Sequence, residues 1–259
     1  MPDIMNETRK CSFTSYLLEK QAPVVVICPG GGYKRRSLRE SKPVADAFNG
    51  AGFHAVVVNY CLEQEELGDS PLLDLAWAVS YLRQHAKEFR IEPDQIFVCG
   101  FSAGGHLAGS LGVFWNDERR FPDKKQRELQ KPNGLILNYP VISAGEFAHK
   151  GSFLRLSSND KIQQTYSLEK YVSSEVPPCF IWHTATDASV PVENSLLFAS
   201  QLMKYGVSCE MMIFPNGPHG MSLATEAAAD EEHMDVIDPH VARWFTQCVD
   251  WMEKIVLKK

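Results

Sequence analysis

Short, uninterrupted runs of apolar residues recur along the 259-residue chain, and helical patterns separate them. The runs are rich in β-branched residues and do not alternate with polar ones, which is typical of strands buried on both faces. Between them, spacings such as that of Leu72, Leu75 and Val79 place apolar side chains on one face of a helix. This alternation predicts an α/β fold with a mostly parallel central sheet and helices on both faces. Strands are predicted at residues 12–18 (an edge strand), 24–28, 54–58, 95–99, 135–139, 180–183 and 210–214, and helices at 41–51, 72–82, 103–114, 193–205 and 241–257.

Two segments interrupt this alternation. Residues 116–131 are highly charged, and we expect them to form a solvated excursion. Residues 143–175 are polar and mixed, and a long segment of this kind in a compact domain is usually functional, so we expect a small cap or lid there. The chain length fits one domain with a full core, and we therefore predict a single domain spanning residues 1–259.

The pentapeptide Gly100-Phe101-Ser102-Ala103-Gly104 follows a predicted strand and opens a predicted helix. By chance alone, a chain of this length contains such a Gly-x-Ser-x-Gly pattern about one time in ten. The strand–turn–helix context makes it more specific, because a sharp turn between the two elements lifts a serine hydroxyl above the sheet. The small residues on either side of Ser102 let the strand and helix approach closely. The pattern predicts that Ser102 is a nucleophile.

A glycine run, Pro29-Gly30-Gly31-Gly32-Tyr33, closes the first buried strand. It lacks the Gly-Lys-Ser/Thr of a phosphate-binding loop, and it does not match a dinucleotide fingerprint. Glycines can turn their backbone N–H groups toward the oxyanion that forms when a serine attacks a carbonyl. The N–H of Ala103, directly after the predicted nucleophile, would be the second donor. We therefore predict an oxyanion hole.

A general base and an acid must follow the serine, because folds that place a serine on such a turn order the residues as nucleophile, acid and histidine. Asp187 and His219 each lie in a loop just after a predicted strand. The histidine would take the serine proton, and the aspartate would fix its tautomer. We therefore predict a triad of Ser102, Asp187 and His219.

Other histidines and carboxylates fit these roles less well. His183 lies inside a predicted strand and His106 inside a predicted helix that leads away from the hydroxyl, so both are expected to be structural. His233 and His240 follow an acidic stretch and are expected to be exposed, and Asp160 comes too early in the chain. No metal-ligand spacing is present, and we predict no metal site.

Composition excludes several classes of protein. The net charge of −6 argues against a nucleic-acid partner, and we expect the basic clusters at 34–36 and 124–125 to lie in solvated loops. Seven scattered cysteines without a Cys-x-x-Cys pair argue against disulfides and zinc, and they suggest the reducing cytoplasm. No run approaches 18 apolar residues and residues 1–10 are polar, so we expect neither a membrane span nor a secretory signal.

Four motifs taken together resemble the α/β-hydrolase esterase superfamily. The likeness is greatest to its acetyl-xylan-esterase-like and hormone-sensitive-lipase-like branches, and it runs from about Tyr16 to the last predicted helix. The motifs are highly specific for fold and triad and weakly specific for substrate. They are Pro-Gly-Gly-Gly-Tyr at 29–33, Gly-Phe-Ser-Ala-Gly-Gly-His-Leu-Ala at 100–108, Trp-His-Thr-Ala-x-Asp-x-x-Val-Pro at 182–191 and Pro-x-Gly-x-His-Gly at 215–220.

The resemblance implies an α/β-hydrolase fold with about eight strands, and hydrolysis of small acyl esters that include acetyl groups on sugars. The lipase-like branch begins its glycine motif with His where this chain has Pro29, so the choice of donors among Gly30, Gly31 and Gly32 stays open. By resemblance, the triad roles fall to Ser102, Asp187 and His219, and the oxyanion role falls to Gly31, Gly32 and Ala103.

We therefore expect cofactor-free hydrolysis of short-chain carboxylic esters through an acyl-enzyme. One alternative is a serine peptidase of the prolyl-oligopeptidase-like type, although this chain has no room for a propeller domain. A second is an inactive hydrolase-fold binding protein, although such a protein would not need an intact triad. The expected partner is a small-molecule ester, and the expected assembly is a homo-oligomer, most simply a dimer.

Overall fold

The computed structural model describes residues 3–230 and 233–257, so the two ends of the predicted domain 1–259 and residues 231–232 lie outside the described residues. In the described ranges, eight strands form one sheet in the order β1-β2-β4-β3-β5-β6-β7-β8. The strands are β1 Ile4–Asn6, β2 Cys11–Tyr16, β3 Ala22–Cys28, β4 His54–Asn59, β5 Ile91–Phe101, β6 Gly134–Asn138, β7 Cys179–Thr184 and β8 Cys209–Phe214. The helices are α1 Lys42–Gly50, α2 Ser70–Gln84, α3 Ala86–Phe89, α4 Ala103–Phe114, α5 Lys124–Gln130, α6 Lys150–Leu156, α7 Asp160–Gln163, α8 Glu193–Lys204 and α9 Arg243–Leu257.

Six neighbouring strands, from β4 to β8 along the sheet, run parallel, and β1 and β2 pair antiparallel at one side. The prediction of a mostly parallel α/β sheet with helices on both faces is therefore confirmed. The prediction that residues 12–18 form an edge strand is wrong, because β2 lies between β1 and β4. The true edge strand, β1, has only three residues, too few to produce a periodic signal.

The central strands contribute alternate side chains to two cores, one on each face of the sheet. Val24 and Val26 pack in the core under α2 and α4, whereas Val25 and Ile27 pack in the core under α1 and α9. None of these four side chains is exposed. Burying one such side chain contributes about 2 kcal/mol. The two-sided burial explains why the runs are continuously apolar.

Residues 116–131 are not the solvated excursion expected from their charge. They contain α5, and the guanidinium of Arg127 is buried, donating to the carbonyl oxygen of Phe121 and to Oδ1 of Asn116. The guanidinium of Arg120 lies 4.0 Å from the ring centre of Phe114. The expectation was wrong because arginine side chains can be buried when hydrogen bonds and aromatic rings replace water around them.

Residues 143–175 pack closely against the domain. They contain α6, α7 and two short 3₁₀ turns, with Phe153 and Leu168 buried in the core. Arg155 donates hydrogen bonds to backbone carbonyls of Tyr33 and Leu62, two segments far away in the chain. This segment is therefore fixed next to the glycine loop.

Candidate active site

Four loops meet at the carboxyl ends of β3, β5, β7 and β8, the edge at which parallel sheets commonly place their sites. Ser102 occupies the turn between β5 and α4, with φ 54° and ψ −118°. Its N–H donates to the carbonyl of Asn138, and its own carbonyl accepts from Val141. These bonds to the β6 end hold a backbone conformation that a side-chain-bearing residue rarely adopts.

The turn is possible because glycines let the backbone segments touch. A Cβ on Gly104 would lie 2.0 Å from the carbonyl oxygen of Cys28, and a Cβ on Gly100 would lie 2.1 Å from that of Gly104. The helix α4 therefore starts directly above β3 and β5. Its position brings the hydroxyl of Ser102 to the rim of the sheet, where only 7% of the residue is exposed.

His219 lies in the loop after β8 and forms the middle of a hydrogen-bonded chain. Its Nε2 lies 2.8 Å from Oγ of Ser102, and its Nδ1 lies 2.6 Å from Oδ2 of Asp187. The ring of Tyr139 packs edge-on against the imidazole at 5.1 Å between ring centres. The structure therefore brings together the three residues that the sequence analysis singled out.

Asp187, in the loop after β7, is surrounded by donors. Its Oδ1 accepts from the backbone N–H groups of Ser189 and Val190, each at 2.9 Å. Its Oδ2 accepts from His219 and also lies 3.3 Å from Nε2 of His183. Burial alone would raise the pKa of Asp187, but the hydrogen bonds to His183 and His219 outweigh burial and hold it well below its ordinary value. The carboxylate therefore stays ionised.

The glycine loop after β3 supplies backbone N–H groups on the other side of Ser102. The N–H of Gly30 is already bound, since it donates to Oε2 of the buried Glu40 at 2.7 Å. Gly31 and Gly32 line the cavity beside Ser102, with φ values of +123° and +64° that favour glycine. Of the three glycines left open by the sequence, Gly30 therefore has its N–H engaged, whereas the N–H groups of Gly31 and Gly32 form no hydrogen bond to another described residue.

A cavity of about 450 Å³ opens beside Ser102. A separate cavity of about 500 Å³ lies between α1 and α9, where it contacts none of the three linked residues. The residues that line the cavity beside Ser102 include the glycines Gly31 and Gly32 and the polar or charged residues Lys34, Arg35, Arg39, His149, Ser189, His219 and His233. Polar and apolar atoms contribute about equally to its surface, so it can contact both parts of a mixed ligand.

Several functional contacts were not found from the sequence. His183 is buried, as expected, but its contact with Asp187 was not predicted. Glu40, which binds both Gly30 and the hydroxyl of Tyr139, was not singled out, and neither was His149. Glu40 ends a 3₁₀ turn just before α1, and no local pattern in the sequence pointed to it or to Tyr139.

None of the remaining candidates hydrogen-bonds to Ser102 within the described part of the chain. His106 is buried between the hydroxyl of Tyr33 and the carbonyl of Tyr166, in the structural role predicted for it. His240 and Asp160 are exposed, whereas His233 is only partly exposed and lines the cavity. In residues 3–230 and 233–257, no group of three or more histidine, cysteine or carboxylate side chains is placed to hold a metal ion.

The strand order, the turn at Ser102 and the chain of hydrogen bonds from Ser102 to Asp187 define an α/β-hydrolase. The chain belongs to the BD-FAE family, whose model matches residues 15–202. It resembles an acetylxylan esterase of Xylanibacter ruminicola (31% identity, covering 85% of this chain and 46% of that protein). It also resembles an endo-1,4-beta-xylanase B of Butyrivibrio fibrisolvens (36% identity, covering 78% and 33%).

A crystal structure of an acetyl ester-xyloside bifunctional hydrolase from Caldicellulosiruptor lactoaceticus matches with a TM-score of 0.83 and 39% identity, covering 95% of this chain and 88% of that one. Other matching structures are described as carboxylesterases. The resemblance to the esterase branches of the α/β-hydrolases is thus confirmed, and so is the fold. The chain spans less than half the length of the two curated relatives named above.

Proposed function

We propose that the protein is a carboxylic ester hydrolase that cleaves short-chain esters through an acyl-enzyme on Ser102. The observation that carries this proposal is the continuous chain from Oγ of Ser102 through His219 to Asp187, with links of 2.8 and 2.6 Å. Such a chain activates a hydroxyl that is otherwise a weak nucleophile. The esterase names of relatives and structural neighbours support the same reaction.

In the first half-reaction, Oγ of Ser102 attacks the acyl carbon while Nε2 of His219 takes the hydroxyl proton. The N–H of Ala103, together with that of Gly31 or Gly32, stabilises the oxyanion, and each such donor is worth about 3–4 kcal/mol. The ester C–O bond then breaks, and His219 returns the proton to the leaving alcohol. In the second half-reaction, water attacks the acyl carbon while His219 takes its proton. The bond between the acyl carbon and Oγ of Ser102 then breaks, His219 returns the proton to Oγ, and the acid is released.

The cavity supports a substrate with a small acyl group and a polar alcohol, such as an acetylated carbohydrate. Nδ1 of His149 accepts from the N–H of Ser152 and lies 2.8 Å from its hydroxyl, so the ring proton is on Nε2. Within the described part of the chain, this Nε2–H has no protein acceptor, and the residue lines the cavity. Burial and the nearby imidazole of His219 lower the pKa of His149 below its ordinary value, which favours the neutral ring. His149 can therefore donate to a substrate oxygen.

We also propose that residues 143–175 act as a small cap over the alcohol side of the cavity. His149 and Gly151 come from this segment and line the cavity, and Cε1 of His149 lies close to Gly32. The burial of Phe153 and Leu168 supports a cap that stays docked during catalysis. A docked cap leaves room for a sugar but little apolar surface for a long acyl chain.

The test compares the 4-nitrophenyl esters of acetate, butyrate and palmitate. The native protein should hydrolyse acetate fastest, and Ser102→Ala should lose at least 10³-fold in kcat. Ser208→Ala, which changes an exposed serine before β8, is the matched control and should keep full activity. Equal activity of Ser102→Ala and the native protein would refute the mechanism, and a preference for palmitate would refute the short-chain assignment.

Adding aminoacyl naphthylamides to these ester assays separates the two alternative functions. Cleavage of aminoacyl naphthylamides without cleavage of esters would favour a peptidase. A folded protein that cleaves neither would favour a binding protein on a hydrolase scaffold.

We further propose a cytoplasmic location and a homodimer. All seven cysteines are free, which supports a reducing compartment. No helix among the described residues is long and apolar enough to cross a membrane. Light scattering at several protein concentrations tests the dimer, and a constant monomer mass would refute it.

A further inference from the structure

Three consecutive cationic residues, Lys34, Arg35 and Arg36, directly follow the glycine loop. As the sequence suggested, Lys34 and Arg35 are exposed in a loop, and they also line the cavity beside Ser102. All three residues also line an adjoining cavity of about 740 Å³. We call these two cavities and their shared wall the basic groove. The groove begins at the nucleophile and extends well beyond the space that an acetyl group fills.

The cations of the basic groove are available to a ligand. No carboxylate of the described residues lies within ion-pair distance of Lys34 or Arg35, and Arg36 donates only to the carbonyl oxygen of Tyr60. Of the described residues, Glu40 is the one acidic residue that lines the cavity beside Ser102. Its carboxylate is buried and already bound by Gly30 and Tyr139.

Two further residues complete the charge balance of the groove. Arg39 also lines the cavity beside Ser102, and among the described residues the carboxylate within ion-pair distance of it is that of Asp230, 3.9 Å from its Nε. In the part of the chain that the structure describes, Glu63 is the one carboxylate that lines the adjoining cavity, and Lys42 there is paired with Asp46. Among the described residues, the groove therefore has more cationic than acidic side chains, in a chain whose net charge is −6. A concave site of one sign concentrates ligands of the opposite sign.

We propose that the basic groove binds a carboxylate on the alcohol part of the ester, so that the substrate is an acylated acidic sugar. This inference rests on the proposed function and specifies its substrate class. Arginine offers two parallel N–H donors that match a carboxylate, and lysine adds a point charge. The groove takes the alcohol part because its length exceeds that of a small acyl group. An acidic sugar unit also has the hydroxyls that His149 can bind.

The test uses two substrates that differ in charge and little else. One is an acetylated methyl glucuronoside with a free carboxylate, and the other is the same compound with a carboxamide in place of the carboxylate. For the native protein, kcat/KM for the carboxylate should exceed that for the carboxamide about tenfold or more at low salt, since a fully formed charge-assisted pair is worth a factor of this size. The ratio should fall as salt is raised. In Lys34→Gln/Arg35→Gln the ratio should approach one.

The control is Lys124→Gln/Lys125→Gln, which removes the same charge from exposed positions on α5 and should keep the native ratio. Two results would overturn the inference: equal kcat/KM of the native protein for the two glucuronosides, or a ratio in Lys34→Gln/Arg35→Gln equal to that of the native protein. If the native protein still hydrolyses 4-nitrophenyl acetate, the proposed function stands in either case. If the native protein hydrolyses neither glucuronoside nor 4-nitrophenyl acetate, the proposed function itself is refuted. The protein could also prefer 4-nitrophenyl hydrogen succinate over 4-nitrophenyl butyrate while showing no preference between the two glucuronosides. This result would place the carboxylate on the acyl part of the ester and overturn its assignment to the alcohol part.

Discussion

Nε2 of His183 lies 3.3 Å from Oδ2 of Asp187, and neither side chain is exposed to solvent. The same nitrogen lies 2.9 Å from the carbonyl of Val190, and Nδ1 of His183 lies 2.8 Å from the hydroxyl of Ser195. Because both neighbours of Nε2 are acceptors, the proton is on Nε2 and Ser195 donates to Nδ1. His183 is therefore a positioning residue that helps hold the carboxylate facing His219.

This arrangement predicts different outcomes for two substitutions of similar size. His183→Leu removes the donor and should lower kcat on 4-nitrophenyl acetate about tenfold, with KM nearly unchanged, since neighbours of this kind orient ligating or catalytic groups. His183→Gln can still present an N–H and should recover much of the loss. If His183→Leu and His183→Gln have equal kcat when the same fraction of each is folded, His183 contributes only to packing and does not position Asp187.

A second prediction concerns Glu40, which fixes the glycine loop. Its two carboxylate oxygens accept from the N–H of Gly30 and from the hydroxyl of Tyr139, both at 2.7 Å. Glu40→Leu would leave both donors buried without a partner, at a cost of about 1–3 kcal/mol each. We expect a lower melting temperature and a drop in kcat as the loop shifts. Glu40→Gln, which keeps one acceptor, should lie between the native protein and Glu40→Leu, and a native kcat in Glu40→Leu would contradict this role.

A third prediction compares two glycines. In Gly104→Ala the new methyl group would lie 2.0 Å from the carbonyl oxygen of Cys28, so strand and helix must separate, at a cost of about 3 kcal/mol or more. In Gly50→Ala the methyl group meets no atom within 4 Å at the end of α1, and stability should rise by about 0.5–1 kcal/mol. Urea denaturation measures both. Equal stabilities of the two variants would contradict the close approach at the Ser102 turn.

These residues show how far the sequence could predict the site. The turn at Ser102 is local, so its glycines and strand–helix context reveal it, and Asp187 and His219 follow from the order of the strands. The contacts of Glu40 join residues 10 and 99 positions apart, and no local pattern records them. His183 lies in β7 and Asp187 lies in the loop that follows it, so their contact depends on how this loop folds back onto β7. The bond between the N–H of Gly30 and Glu40, which supports the prediction of Gly31 and Gly32 as donors, likewise could not be read from the sequence.

A fourth prediction concerns pH. Burial lowers the pKa of His106 from 6.5 to about 4, since the ring lies in a dry space between Tyr33 and Tyr166. As the pH falls, the unfolded chain therefore binds a proton at His106 at a higher pH than the folded protein does. Between pH 6.5 and about 4, stability should fall as pH falls, by about 3 kcal/mol at most from this residue.

Urea denaturation at several pH values between 4 and 7 measures this loss. His106→Gln should be less stable at pH 7 but should show a shallower dependence on pH. An equal slope in the native protein and the variant would show that other groups cause the acid sensitivity.

The most direct test of the central claim is to identify the residue that a fluorophosphonate probe modifies. The proposal predicts a single adduct on the peptide that contains Ser102, no adduct in Ser102→Ala, and labelling at least 10²-fold slower in His219→Ala, because general-base catalysis contributes at least that factor. Peptide mapping by mass spectrometry reads out all three proteins. An adduct on another residue of the active native protein, or undiminished labelling of Ser102→Ala, would contradict the account.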